Sequence, residues 1–468
     1  MPHDRRKVLV LGGGVAGIAA ATALADHGLH VELVEKRPLL GGRASSFVDK
    51  ATGERVDECQ HGTMRCCTNL ADLLERLGVH DRICYFDAIA FLDREGRRSA
   101  IYGSRLPAPL HTLPSFLRFR SLRLTDKIAI GRAMLAILRA KPHPEQDRID
   151  VATWLQRMRQ TERALRRFWR PILVSACNEE LERISCAHAF KIFREGFLLH
   201  PQAFHFGIPS VPLATLYTEP TVAYLQARDG HVRTQTTIEQ LEVEGDRVVG
   251  VLLTGGTRLQ ADYYVSALPF DVLLRVLPEH TTVGEPYWEN LRRLEFAPLC
   301  GVHLWFDRPI GCPPALAVLD RDTEWIFNKT QNFGLPAERG GYLSVVISAS
   351  RRFAGMPKEA LLAHILTEVR ACLPEACRAE LVRWQIVRWP RATFSPRPGV
   401  EAARPDQQSP IRNLLVAGEW TRTGWPSTME SAARSGYRAA EYVLAQEGRP
   451  ARLVAPDLPA SGLARWFA

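Results

Sequence analysis

Residues Val8–Arg43, VLVLGGGVAGIAAATALADHGLHVELVEKRPLLGGR, decide the fold. An apolar run from Val8 to Leu11 enters Gly12-x-Gly14-x-x-Gly17, an alanine-rich stretch continues to Gly28, and a second apolar run, Val31 to Val34, delivers Glu35. That order predicts strand, tight turn, helix and strand. Gly12 permits the turn, Gly14 lets the backbone approach a pyrophosphate, and Gly17 lets the helix lie close to the strand. The amides of Val15 and Ala16, at the positive end of the helix dipole, suit phosphate oxygens. Glu35, 18 residues after Gly17, is placed to accept hydrogen bonds from a ribose. A glycine turn before a helix is common alone. Strand, helix and acidic residue in this order make it a dinucleotide cradle.

At 468 residues the chain exceeds one ordinary core, which predicts two consecutive or interleaved domains. With 46% apolar and 24% charged residues it has the composition of a folded soluble protein and no disordered or collagen-like bias. The net charge of +9 favours anionic partners. No helix-turn-helix, zinc-finger or RNA-binding signature accompanies it, so an anionic membrane surface is expected as a partner and nucleic acid is not. The ten cysteines include no CxxC spacing, so no metal site is expected. Reduced, mostly buried thiols in a cytoplasmic enzyme are the expectation. Basic residues precede the first apolar run as in a signal peptide, but glycines end that run after four residues. No segment reaches the ~18 apolar residues of a membrane span.

Lys36-Arg37-Pro38-Leu39-Leu40-Gly41-Gly42-Arg43 follows the acid. Gly41 and Gly42 allow close backbone approach, and Arg43 can neutralise a phosphate or sit beside an electron-rich ring. This tail resembles the glutathione-reductase-like FAD proteins of the amine oxidase and phytoene desaturase superfamily, in which a GGR segment follows the ribose-binding glutamate. The resemblance implies FAD, with Lys36, Gly41, Gly42 and Arg43 among its contacts. Near the other end, Asn413 to Glu419 reads NLLVAGE, and TGWPSTMESAARSGYRAA runs on from Thr423. This resembles the superfamily's second FAD motif. Gly418 and Glu419 would meet the ribityl–phosphate region. A helix starting near Thr428 and Met429 would aim its N-terminus at the flavin N1 and C2 oxygen. Ala433, Gly436 and Ala440 are small enough for that helix to pack tightly.

Between these ends, Val232–Val243, Arg247–Thr254 and Arg258–Ala267 alternate around turns and predict a three-stranded antiparallel unit. The resemblance lays Ile238 against the adenine. Helices are expected over residues 69–78, 151–159, 162–169, 186–197 and 359–373, and apolar strands over 296–308, 342–348 and 382–389. Residues 106–141 combine proline-broken apolar sequence with Arg118, Arg120, Arg123, Lys127, Arg132, Arg139 and Lys141 against one acid, Asp126. An ordinary solvated cap helix and a segment lying in a membrane interface both fit, with Phe116 and Phe119 expected to be exposed in the latter.

RFWRPILVSACNEELERISCAHAFKIFREGFL, residues 167–198, narrows the resemblance to the hydroxysqualene dehydroxylases, also called squalene-associated FAD-dependent desaturases. Plant-type phytoene and zeta-carotene desaturases share it more loosely, and Val302–Arg308, VHLWFDR, resembles both. Amine oxidases carry a flavin-facing lysine on the comparable strand, and none occurs from Leu294 to Arg308. The expected fold is α/β: a glutathione-reductase-like Rossmann FAD-binding domain with an inserted α+β substrate domain and a helical cap. FAD-binding segments fall at 1–105, 218–285 and 391–448, the helical cap and candidate membrane-contact region at 106–217, the substrate domain at 286–390 and a C-terminal tail at 449–468. The resemblance implies reduction of the C30 isoprenoid alcohol hydroxysqualene to squalene, for hopanoid or sterol synthesis. Carotenoid desaturation is the alternative, followed by amine oxidation and by non-catalytic lipid binding. The implied reaction needs an acid for the departing hydroxyl and a dry, aromatic wall for an allylic cation. His61, in CQHG, is the candidate acid, or a histidine satisfied in a pocket wall. Trp425 and Tyr217 are the candidate walls. A peripheral position on the inner face of the cytoplasmic membrane is expected, and the electron donor stays open.

Overall fold

The computed structural model describes residues 5–467. Its first elements are the strand Lys7–Leu11, the helix Val15–Asp26 and the strand His30–Val34. They start an all-parallel five-stranded sheet in the order 231–233, 30–34, 7–11, 263–266 and 414–416. Three distant stretches of chain thus build one sheet. Val8, Val10, Val31, Leu33 and Val265 are fully buried on the face that the helix Val15–Asp26 covers, each worth about 1.5–3 kcal/mol against solvent exposure.

The helix Met429–Gln446 packs along the helix Val15–Asp26. A Cβ on Gly436 would overlap the carbonyl of Ala16 and lie 2.9 Å from the Ala19 Cβ, so the two backbones touch where only glycine fits. Glu430 accepts the Asn69 and Leu70 amides, both at 2.9 Å, joining this helix to the start of the helix Thr68–Arg76.

The second body is a seven-stranded sheet in the order 381–394, 296–306, 341–347, 325–328, 315–318, 88–92 and 98–102. Its pairs are antiparallel except that of Ala315–Val318 with Ala88–Leu92. Residues 88–102 therefore join the substrate sheet, position 105 falls in the loop after the strand Arg98–Tyr102, and the helix Leu213–Gln226 runs across position 217. The expected strand 232–243 is divided. His231–Arg233 completes the parallel sheet, and Ile238–Glu244 begins the three-stranded unit, with Gln235 in the left-handed region between them. The expected strand 258–267 splits likewise into Arg258–Leu259 and Tyr263–Ser266.

In the cap, the Phe168-Trp169-x-Pro171 sequence does not break the helix. A π-helical turn at Leu165–Trp169 leads straight into Arg170–Cys177, where the missing proline N–H is tolerated in the first turn. Phe119 is buried, edge-on to Phe91 at 5.1 Å, and Phe116 is half-buried against Phe168 at 5.6 Å. Both phenylalanines expected on the surface thus serve the cap core, because their rings cover aromatic neighbours on other elements.

Packing at the two helices sets a measurable contrast. Gly436→Ala should cost about 1–3 kcal/mol through overpacking. Gly131→Ala, in the open face of the helix Leu124–Arg139 with nothing near the added methyl, should gain up to ~1 kcal/mol. Urea denaturation of the two variants checks both signs.

Candidate functional site

The cradle is built from two backbone loops in contact. Gly12 (φ +108°) turns the chain, and its amide donates to the Val34 carbonyl at 2.8 Å. The Gly41 amide donates to the Gly13 carbonyl, also at 2.8 Å, which lays the Gly41–Arg43 loop on the glycine turn. Gly41 has φ +102°, and a Cβ there would sit 2.6 Å from the Ala44 carbonyl. Gly14 starts the helix without any side-chain cap, and the first amide paired within the helix is that of Ile18. The amides of Val15, Ala16 and Gly17 are thus left for an anion.

Glu35 is held in place by accepting the Gly13 amide at 2.7 Å and the Arg37 amide at 2.9 Å. The second motif arrives beside the first. Glu419 accepts from the Arg43 guanidinium through one carboxylate oxygen, while its other oxygen is buried without a partner. Leaving that acceptor unpaired costs free energy that a hydroxyl donor would recover. Uncapped amides, an anchored acid and an orphaned carboxylate oxygen fit a polyhydroxylated dinucleotide such as FAD. Thr428 caps the C-terminal helix, accepting the Ser431 amide at 3.1 Å, and Met429 is its first residue.

Two expected positions differ. Lys36, in the bend just past the strand's end at Val34, is exposed, while Glu35 is buried and Arg37 half-buried. Arg37 takes the inward role: it donates to Glu58 at 2.7 Å and to the Gly42 carbonyl at 3.2 Å, and lies over Trp389 at 5.0 Å. Trp425 is buried with its indole N–H on Asp457 at 3.3 Å and Lys191 over its ring at 4.8 Å. It clasps the C-terminal tail and is not among the residues lining the cavity around His61 and Tyr217. Arg43, read as a neighbour of a phosphate or of an electron-rich ring, donates to Glu419 and, at 3.2 Å, to the Ala392 carbonyl. Ile238 is half-buried, and the neighbouring Thr236 amide donates to the Glu35 carbonyl at 2.9 Å, which sets this segment beside the acid.

His61, Tyr217 and Met429 do meet, around one narrow apolar cavity. The Tyr217 hydroxyl donates to the Met429 sulfur at 3.7 Å, and burial raises its pKa so that it stays protonated. His61 Nδ1 lies 3.1 Å from the Cys59 carbonyl, an acceptor only, so Nδ1 carries the proton. Burial, with Lys329 and Arg43 adding to it, lowers the His61 pKa below its ordinary value. The ring is therefore neutral near pH 7 with its Nε2 lone pair free. That suits a proton acceptor.

Asp57, Lys329 and His303 escaped the sequence. Lys329 Nζ meets Asp57 Oδ2 at 2.6 Å with side-chain exposures of 0% and 1%. Asp57 Oδ1 also accepts the Leu213 amide and the Ser46 hydroxyl, both at 2.8 Å. His303 Nδ1 lies 2.9 Å from the Tyr342 hydroxyl, and burial, with Lys329 nearby, pushes its pKa down to about 4. The residues from Leu294 to Arg308 do lack a lysine, but a buried one enters from the end of the strand Trp325–Asn328 in the same sheet. The only signal was a lysine directly after the apolar string WIFN. One group with metal-ligand character, Asp322, His364 and Glu368, lies elsewhere. Arg352 and His364 occupy Asp322, and the Thr323 amide occupies Glu368.

Removing one partner of the buried pair leaves a bare charge. Lys329→Met should cost ~3–5 kcal/mol, and Asp57→Asn with Lys329→Met should recover much of it in a denaturation cycle. His303 sets a pH dependence. Its folded pKa lies below the unfolded value, so between about pH 6.5 and 4 the unfolded chain binds the extra proton and stability falls as pH falls, by up to ~3 kcal/mol. His303→Gln should flatten the melting temperature against pH across that window.

Comparison with known proteins agrees with this geometry. The model of the family "Flavin containing amine oxidoreductase" matches residues 15–444. A zeta-carotene desaturase from Zea mays is 26% identical over 93% of this chain and 83% of its own length. A 15-cis-phytoene desaturase from Synechococcus elongatus is 26% identical over 94% and 96%. Among solved structures, putrescine oxidase bound to putrescine superposes with a TM-score of 0.73 at 17% identity, covering 94% of this chain and 99% of that one. An oxidoreductase from Methanosarcina mazei gives 0.70 at 16%, covering 92% and 98%. With two FAD motifs joined at Arg43 and Glu419 and a family match spanning almost the whole chain, the protein belongs to the flavin-containing amine oxidoreductases and is an oxidoreductase that uses FAD.

Proposed function

We propose that the protein oxidises or reduces a long, apolar isoprenoid chain, and that desaturation is the reaction it performs. The observation that carries this is His61: a neutral imidazole whose free Nε2 lines an apolar cavity beside Tyr217 and Met429. Desaturation removes a hydride and a proton from adjacent carbons. Bound FAD would supply the hydride-accepting chemistry. His61 Nε2 would take the proton, its ring oriented through Nδ1 by the Cys59 carbonyl. Leu70, Leu74, Leu213 and Leu216 line the same small cavity and make its wall apolar. The carotenoid desaturases among the relatives, similar along nearly the whole chain, support the same reading.

The second reading is replacement of the hydroxyl of hydroxysqualene by hydrogen. The resemblance of residues 167–198 to the dehydroxylases favours it. In that direction Tyr217 would stand beside His61 as an aromatic wall of the cavity.

The two separate by product. The FAD-loaded protein is incubated with phytoene or zeta-carotene plus a quinone, and separately with hydroxysqualene plus a reductant, and the products are resolved by chromatography. A new conjugated double bond supports the first reading, and squalene alone overturns it in favour of the second. His61→Gln should keep flavin absorbance while lowering desaturation about 10²-fold or more. Full turnover in that variant would remove His61 from the chemistry.

A further inference from the structure

We propose that the cap and the C-terminal turn together form one docking face for an anionic lipid bilayer. The helix Leu124–Arg139 buries Ile130, Ala133 and Ile137 inward and turns Leu124 (68% exposed), Ile128 (56%) and Leu135 outward. The segment before it presents Leu110, Leu113 and Leu117. A second part of the chain joins them. The 3-10 turn Gly462–Phe467 packs against this helix, the Ala464 amide donates to the Ala108 carbonyl at 3.0 Å, and Arg194 holds the Phe467 carbonyl at 2.9 Å. This anchoring leaves Leu463 outward and Trp466 81% exposed, the most exposed large apolar side chain among the described residues. A tail held by hydrogen bonds on either side of an outward tryptophan is an arrangement that solvent does not reward.

Charge selects the occupant. Arg118, Arg120, Arg123, Arg132 and Arg139 are exposed around these apolar side chains. The single acid between Arg105 and Lys141, Asp126, is buried, accepting the Arg123 amide at 2.7 Å and the Thr161 hydroxyl at 2.6 Å. A second copy of the chain on this face would set like charges against one another. An anionic bilayer satisfies both parts: acyl chains receive the leucines, headgroups receive the arginines, and the indole takes the interface. No helix among the described residues is long and apolar enough to cross a membrane, so the attachment is to one leaflet. This assignment stands apart from the substrate assignment, and either can fail without the other.

The test is flotation of the FAD-loaded full chain with vesicles of phosphatidylcholine containing a quarter phosphatidylglycerol, and with pure phosphatidylcholine. The protein should float with the first and at least tenfold less with the second. Leu124→Ser with Ile128→Ser and Trp466→Ser should lower binding at least tenfold with flavin absorbance and melting temperature retained. Arg132→Glu with Arg139→Glu, which leaves the apolar residues in place, should lower it severalfold and steepen its loss with salt. Equal binding by wild type and both variants, or equal binding to both vesicle types, overturns the proposal. So does a concentration-dependent dimer that the triple variant abolishes while the wild type ignores vesicles, since a second copy is then the occupant.

Discussion

Two helices separated by some four hundred residues of sequence touch backbone to backbone where Gly436 meets Ala16. Any side chain at that crossing would push the helix Met429–Gln446 outward and carry its N-terminus, with Thr428 and Met429, away from the glycine turn. The approach also brings Glu419 to Arg43, so that a carboxylate from the last sheet strand and a guanidinium from the GGR loop neutralise each other inside the cradle. The cofactor site is a property of that contact more than of either motif alone. Each motif offers half the donors, and the helix packing holds the halves in register.

A second constraint operates where the two sheets meet. Asp57 belongs to the first FAD segment, while Lys329 and His303 come from the seven-stranded sheet and its end, and they form a charged and polar knot with almost no solvent. Such a pair contributes little net stability compared with an apolar core, but breaking it strands a charge. It ties the substrate sheet to the cofactor domain through the amide of Leu213, the residue that starts the helix bearing Tyr217. The same dry surroundings hold His61 neutral. Position and protonation state at the cavity therefore share one cause, the exclusion of water between the two bodies.

The cradle was legible because each of its requirements is local. A turn needs glycine at Gly12, a close approach needs it at Gly41, and an acid must follow the second strand. The candidate catalytic region was legible only in part. His61 and Tyr217 do share a cavity, but the role of His61 turned on which nitrogen faces the Cys59 carbonyl, and Trp425 was claimed by Lys191 and Asp457 from elements distant in sequence. Phe116 and Phe119 look exposed in a basic amphipathic string, yet their aromatic partners, Phe168 and Phe91, lie on other elements.

The sequence by itself determined the α/β class, the FAD cradle and the return of the chain to that cradle at its C-terminal end, because strand and helix periodicity and glycine requirements act over a few residues. Only the tertiary structure decided that Arg37 and not Lys36 turns inward, that a buried lysine reaches Asp57 from a different strand, and that the C-terminal turn is held against the helix Leu124–Arg139 with Trp466 exposed. These depend on pairing between distant segments and on the removal of water around them. Neither is encoded in the spacing of neighbouring residues.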